Sequence, residues 1–323
     1  MIHLEAADEL LAAEPGGPDP ELLAELRVLQ REAALAADDL SGARRRAQEA
    51  LDLVDPQRAP DAVCHAWELA GRSYRVHDLD AARAAFARAY ELAERAELPV
   101  RRLRALHELG TIDMLDHGGS EQLLSARAVA EELGAVSTLA VLDVQLAGAC
   151  LQQFDTDAAL RHISLARGVT EPLALGRLHA YTHVLDACVQ ALLGNRPAVS
   201  EAAARARRAA PGDVEVEGLT VAGGFGMLEM IWGERADALG ALDRGLAALH
   251  TVEHSPPRPY RGLWPLVVAA AGRPDAPEAL EHLANKDIAA RLHVSSRTVG
   301  EARGEPAAQG RGALAHPPHG HGP

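Results

Sequence analysis

The sequence predicts an all-α fold in which helical hairpins stack into a solenoid, followed by a partial helix-turn-helix and a disordered tail. Hydrophobic residues make up 48% of the 323 residues, but only 3% are aromatic, because alanine and leucine supply most of the apolar content. Alanine, leucine, glutamate and arginine are strong helix formers. Apolar residues recur three and four positions apart over long stretches, which is typical of one face of a helix.

Short breaker segments divide the chain at intervals of 37 to 40 residues. They are DLSGA from Asp39, DLDAA from Asp78, GGSEQ from Gly118, DTDAA from Asp155, NRPAV from Asn195 and ERADA from Glu234. Each follows a long helix-like run and precedes a shorter one. Repeats of this length bury their apolar faces by stacking on their neighbours. We therefore expect about six hairpins in residues 22–272, after an N-terminal lead-in over residues 1–21.

The unit from Asp61 to Ala96 shows the pattern most clearly. Its two helices are expected to bury Val63, Trp67, Ala70 and Tyr74, and Ala82, Phe86, Ala89 and Tyr90. Asp78 and Asp80 fit the N-cap region of the second helix. W-x2-A-G-x2-Y from Trp67 and A-x3-F from Ala82 resemble the tetratricopeptide repeat (TPR), whereas the other units keep only its period. The resemblance implies a TPR-like solenoid with a concave face for a protein or peptide, and no contact residue is assigned.

The formal net charge of −14 argues against a nucleic-acid coat or an anionic membrane surface as a general partner. The N-terminus MIHLEAADELL has acids where a signal peptide has basic residues. The longest apolar run, from Leu263 to Gly272, is too short to cross a bilayer. These features predict a cytoplasmic protein without a membrane partner, and the abundance of arginine over the single lysine, Lys286, suggests a GC-rich bacterial source.

No motif predicts catalysis, a cofactor or a metal ion. A phosphate-binding GxxxxGK[ST] loop and a GxSxG elbow are missing from the sequence, and HELGT from His107 lacks the second histidine of a zinc-protease helix. The glycines of AGGFGM, Ala222 to Met227, are expected to bring helices close together or to loosen a turn. A metal pair of Asp155 and Asp157 is less convincing than a hairpin breaker. We expect no enzyme.

The three cysteines, Cys64, Cys150 and Cys188, lie within apolar helical runs. An odd number of cysteines in a chain of this type is expected to give buried, reduced thiols.

The run NKDIAARLHVSSRTV, from Asn285 to Val299, predicts a helix, a turn and a second helix. Ile288, Ala289 and Leu292 would face inward, and Ser295 fits an N-cap. The run resembles the LuxR-type DNA-binding motif N-K-E-I-A-x-x-L-x-x-S-x-x-T-V. The resemblance implies that the helix starting near Ser296 enters the major groove of promoter DNA. The residues implied to contact DNA are Lys286, Ser296, Arg297, Thr298 and Val299.

The LuxR-like pattern ends after Gly300, where EARGEPAAQGRGALAHPPHGHGP brings in glycine and proline. All residues of this tail can be encoded by codons that begin with G or C, which indicates a shifted reading frame. One choice of codons for residues 301–316, read one nucleotide later, gives KHVENLLRKVGARSRT, which continues the LuxR-type domain. Residues 301–323 are therefore expected to be a frame-shifted, disordered tail. The tail histidines His316, His319 and His321 would then be accidental.

We therefore predict repeats over residues 22–272, a linker over 273–282 and a helix-turn-helix remnant over 283–300. The first helix of a LuxR-type domain and the ATPase portion of the large LuxR-type regulators have no counterpart in the sequence. One hypothesis is a LuxR-type regulator, or a fragment of one, with repeats that sense a protein, a peptide or a small-molecule inducer. The alternative is a stand-alone TPR-like scaffold with a vestigial helix-turn-helix, and for the chain as written we expect weak or absent specific DNA binding.

Overall fold

The computed structural model describes residues 2–13, 22–23, 26–27, 29–30, 40–53, 55–75, 78–117 and 119–250. Contacts divide the chain into two units, Met1–Pro259 and Tyr260–Pro323, and the described residues all belong to the first. The described secondary structure is entirely helical, which confirms the predicted all-α class. The predicted linker, helix-turn-helix and tail lie outside the described residues.

The described helices alternate along the chain as the repeat pattern predicts. They are α1 (Ile2–Ala12), α2 (Leu40–Leu53), α3 (Pro60–Tyr74), α4 (Leu79–Arg95), α5 (Pro99–His117), α6 (Glu121–Glu132), α7 (Val136–Gln152), α8 (Thr156–Thr170), α9 (Gly176–Leu192), α10 (Arg196–Ala209), α11 (Val214–Leu219), a π-helix (Thr220–Gly226), α12 (Met227–Trp232) and α13 (Arg235–His250). Within the described ranges, α3–α4, α5–α6, α7–α8 and α9–α10 are complete hairpins. A fifth pairs α11, the π-helix and α12 with α13.

In three of the hairpins the breaker segment begins the second helix through a side-chain cap. Asp78 accepts a hydrogen bond from the Ala81 amide at 2.9 Å, and Asp155 accepts one from the Ala158 amide at 2.9 Å. Asn195 caps α10 in the same way through the Ala198 amide. Such caps satisfy backbone donors that have no partner within the helix. The capping role of Asp155 confirms that it is a hairpin breaker.

The TPR signature residues pack within the α3–α4 hairpin. A methyl group on Gly71 would lie 2.6 Å from the Phe86 ring, so only glycine lets the two helices approach this closely. Phe86 is fully buried, and Ala82, Leu109 and Ile112 lie in the same cluster. Trp67 and Tyr74, by contrast, are only half-buried at the edge of the core.

The three glycines of AGGFGM lie in the seven-residue π-helix, whose wider turn interrupts the first helix of the fifth hairpin. A methyl group on Gly226 would lie 2.9 Å from Leu242 of α13. The sequence predicts that these glycines either bring two helices close together or loosen a helical turn. The structure shows both, since the π-helix is a loosened turn and Gly226 lies against α13. A methyl group on Gly245 of α13 would lie 2.7 Å from the Ala222 backbone nitrogen, so α13 crosses the π-helix almost at backbone contact.

Gly245→Ala is expected to lower the free energy of unfolding by about 2 kcal/mol, because rigid backbone atoms must move to admit the methyl group. Gly240→Ala on the same helix is the matched control, since its methyl group would meet only the flexible end of Arg244, at 3.3 Å. We expect that control to stabilise the protein by about 0.5–1 kcal/mol. Urea denaturation measures both changes. Equal stability of the two variants would contradict the close crossing.

Candidate functional site: the inner face of the first helices

The first helices of successive hairpins form the inner layer of the solenoid. Helices α3, α5, α7 and α9 each contact the next first helix in the series, whereas successive second helices hardly touch one another. In a curved stack the layer with the shorter spacing lies on the inside. The side of α3, α5 and α7 that none of the described helices covers is therefore the concave side, and we call it the inner face.

Arginine side chains dominate the part of the inner face formed by α3 and α5. Four of them, Arg72, Arg75, Arg101 and Arg104, form what we call the guanidinium patch. Arg72 and Arg75 donate hydrogen bonds to the two oxygens of Glu108, at 2.7 and 2.6 Å. The Arg72 and Arg104 side chains are 45% and 51% exposed, whereas those of Glu68 and Glu108 are 2% and 8% exposed. A molecule that approaches the patch therefore meets the Arg72 and Arg104 cations above buried carboxylates. Arg101 is only 13% exposed and is paired with the exposed carboxylate of Asp61.

The two buried carboxylates differ in how well they are compensated. Burial alone would raise the pKa of Glu108, but Arg75 and Arg72 hold it below its usual value. Burial raises the pKa of Glu68 to about 7, against the attraction of Arg101, Arg104 and Arg72. The shortest ion pair of Glu68 among the described residues is with Arg101, at 3.5 Å, and Glu68 Oε1 has no hydrogen-bond partner among them.

The inner face of α7 has a different character. The Gln145 side chain of α7 accepts a hydrogen bond from His107 Nε2 of α5 at 2.8 Å and donates one to Thr111 of α5 at 3.2 Å. These bonds join the two helices. The one charged residue of α7, Asp143, is bound to Arg127 and His162 of the second helices. Val141, Val144 and Gly148 share the uncovered stripe with Gln145. A methyl group on Gly148 would meet nothing within 4 Å, so this part of the face is open and uncharged.

A second polar group joins α8 to α9 through two histidines. Arg167 donates to His183 Nδ1 at 2.9 Å, and His183 Nε2 lies 3.3 Å from His179 Nε2. Because Nδ1 of His183 accepts a hydrogen bond, its proton must be on Nε2. The His183 Nε2 proton then faces His179, whose Nδ1 bonds Thr170 at 3.0 Å. A metal ion between the two Nε2 atoms would have to displace that proton, so the pair is better explained as a structural link.

His183→Asn is expected to reduce the sensitivity of the protein to acid. Burial, with Arg167 and His179, lowers the pKa of His183 to about 4, so between pH 6.5 and 4 the unfolded chain binds a proton that the folded chain does not. The wild type therefore loses stability over that window, by about 2 kcal/mol at pH 5 from this residue. Asparagine does not titrate and offers Arg167 an acceptor. Urea denaturation at pH 7.5 and 5 should show a smaller loss for the variant, and equal losses would contradict this assignment.

The structure places the other predicted residues as follows. Cys64 and Cys188 are buried as expected, but Cys150 is only half-buried, because its position on α7 lies at the edge of the core. None of the three forms a disulfide. Groups of three or more metal-ligating side chains are not found among the described residues. Lys286, Ser296, Arg297, Thr298 and Val299 lie outside the described residues, so their implied contacts with DNA stay predictions.

The sequence alone does not predict the guanidinium patch. In the sequence, His107 and Glu108 stand out only as part of an incomplete zinc-protease motif. One signal was available, because Asp61, His65, Glu68, Arg72 and Arg75 are spaced as one polar stripe of a helix. Which helix that stripe faces depends on how the hairpins stack, and the repeat period does not give that information.

The fold and its inner face define a helical-repeat protein of the TPR-like class. The crystal structure of the apo form of RapI is similar, with a TM-score of 0.61 and 15% sequence identity over 78% of this chain and 91% of the RapI chain. At this identity the similarity shows the fold alone. No protein-family profile matches the chain, and no curated protein matches it. In the described part of the chain, no helix combines the length and apolar character that a bilayer crossing requires.

Proposed function

We propose that the chain is a regulatory protein whose helical repeats bind a protein or peptide on the inner face. The observation that supports this role most directly is the composition of that face. Exposed guanidinium groups lie above buried carboxylates on α3 and α5, and an open, uncharged surface follows on α7. Polar groups of this density on an uncovered face are not needed for packing, because the apolar clusters lie between the helices.

The similarity to RapI is consistent with this role. The RapI structure is described as an apo form, that is, a form without its ligand. A ligand-binding function on a comparable stack of hairpins is what we propose for this chain. In this proposal the protein catalyses no reaction and uses no cofactor. We also propose that it is cytoplasmic and has no membrane partner. A small-molecule inducer is a further class of ligand for the same face.

The more specific part of the proposal is a LuxR-type regulator with a damaged DNA-binding end. It rests on the sequence from Asn285 to Val299 and on Lys286, Ser296, Arg297, Thr298 and Val299 as the DNA contacts. A third of a DNA-binding domain buries too little apolar surface to fold alone. The alternative is a stand-alone interaction scaffold with a vestigial helix-turn-helix, in which the repeats keep their role.

Two versions of the chain distinguish these alternatives in a gel-shift experiment. One is the chain as written, and the other lacks one nucleotide at codon 301, which restores the LuxR-like frame. The DNA is the promoter region of the protein's own gene. Nanomolar binding by the restored version alone supports the regulator with a damaged end. Nanomolar binding by the chain as written contradicts the damage, and no binding by either version favours the scaffold.

A further inference from the structure

We propose that the inner face of α3, α5 and α7 binds a peptide segment that is acidic at one end and apolar at the other. This inference rests on the proposed function and specifies the chemistry of its ligand. It depends on the order of two surfaces along the solenoid, the guanidinium patch on α3 and α5 and the uncharged stripe on α7.

The acidic end is inferred from the exposed groups of the patch. Arg72 donates one hydrogen bond, through Nε, to Glu108, and the Arg104 guanidinium lies 3.9 Å from Glu68. Neither arginine therefore forms a bidentate salt bridge within the protein, and each has N–H donors left for a ligand. Arginine recognises carboxylates through two parallel N–H donors. The whole chain has a net charge of −14 and so repels acidic segments in general, whereas the exposed arginines of the patch favour them locally.

The apolar end is inferred from α7. Val141, Val144 and Gly148 lie on its uncovered stripe, and Asp143 points away toward Arg127 and His162. A carboxylate placed here would find no cation on α7, whereas an aliphatic side chain would cover the valines and fill the space above Gly148. Packed helices lie about 8–10 Å apart, which corresponds to about three extended residues of peptide.

The two surfaces are continuous because side chains join the helices beneath them. Arg72 and Arg75 connect α3 to Glu108 of α5, and the next contact along, from His107 to Gln145, connects α5 to α7. A bound segment would therefore cross three helices held in a fixed arrangement. Such preorganisation lowers the cost of binding.

The proposal is tested by selecting random dodecapeptides displayed on phage against the full chain. The expected result is enrichment of peptides with aspartate or glutamate near one end and leucine, isoleucine, valine or phenylalanine near the other. Enriched peptides without acidic residues, or with basic residues in their place, overturn the proposed ligand but leave peptide binding intact. If no peptide is enriched, both the ligand and peptide binding as the function are overturned.

Matched variants locate the binding of the best peptide, labelled and followed by fluorescence anisotropy. Arg104→Gln should weaken binding about tenfold, which is the effect of losing one charge-assisted contact. The control is Arg205→Gln, which changes an exposed arginine on α10 paired with Glu201 and should leave the dissociation constant unchanged. Unchanged binding by Arg104→Gln would overturn the role of the patch. With Arg104→Glu, the same peptide with lysine in place of its acids should recover binding.

A steric pair tests the α7 part of the site. Gly148→Trp places a large ring on the inner face, whereas Gly168→Trp places one on the outer helix α8, where a methyl group also meets nothing within 4 Å. We expect Gly148→Trp to abolish binding and Gly168→Trp to leave it unchanged. Thermal melts of both variants show whether the fold is kept. Equal binding by the two folded variants would overturn the proposed position of the apolar end.

Discussion

Replacing Phe86 by alanine is expected to lower the free energy of unfolding by about 3–5 kcal/mol. Phe86 is fully buried, and its ring fills the space that Gly71 leaves between α3 and α4. It also contacts Leu109 and Ile112 of the next hairpin through their shared cluster. Loss of the ring leaves a cavity at the joint of two hairpins, because neither Gly71 nor the neighbouring alanines can fill it.

Phe154→Ala is the matched control for this prediction. Phe154 lies in the turn between α7 and α8, is 48% exposed and has a positive φ of 60°. Its removal should change stability by about 0.5 kcal/mol or less. Chemical denaturation of the two variants beside the wild type measures the difference. A loss below about 1 kcal/mol for Phe86→Ala would show that the α3–α4 hairpin does not pack as described.

Glu68→Gln is expected to stabilise the protein at alkaline pH by about 3 kcal/mol. The pKa of Glu68 is raised to about 7 by burial, from an ordinary value of 4.5. Below pH 4.5 the carboxyl is protonated in both the folded and the unfolded chain, so it adds no dependence on pH. Between pH 4.5 and about 7 the unfolded chain has released this proton while the folded chain still holds it, so the stability falls over that window and stays low at higher pH.

Glutamine keeps the shape of the side chain and removes the titration. The difference between Glu68→Gln and the wild type should therefore be small near pH 5 and largest above pH 8. Glu201→Gln is the control, because Glu201 is an exposed residue paired with Arg205 within one helix, and it should give a small difference at every pH. The same difference for Glu68→Gln at pH 5 and at pH 9 would contradict the uncompensated burial of this carboxyl.

The sequence was sufficient to predict the repeat architecture because breakers and caps act locally. Asp78 and Asp155 terminate one helix and begin the next through bonds within a single turn, and their spacing sets the period. The glycines of AGGFGM were informative for the same reason, since a residue without a side chain permits a wide turn and a close crossing. The predicted burial of Trp67 and Tyr74 was only partly correct, because their faces depend on the neighbouring hairpin.

The inner face was much harder to predict than the fold. Arg72 and Glu108 are 36 residues apart, and only the stacking of two hairpins brings them together. An arginine on a helix is compatible with an exposed surface, a bridge within the helix or a contact with the next repeat. The openness above Gly148 is a property of the assembled stack, so a glycine there could equally have marked a close helix contact.

The central claim, that the inner face binds the partner, is tested most directly by photo-crosslinking from Gly148 and Gly168. A photoreactive phenylalanine analogue replaces each glycine in turn in the full chain, which is then produced in the organism that carries the gene and irradiated. We predict a discrete crosslinked product with a second protein or peptide from position 148 and none from position 168. Crosslinking from position 168 alone, or from neither position, would contradict binding on the inner face.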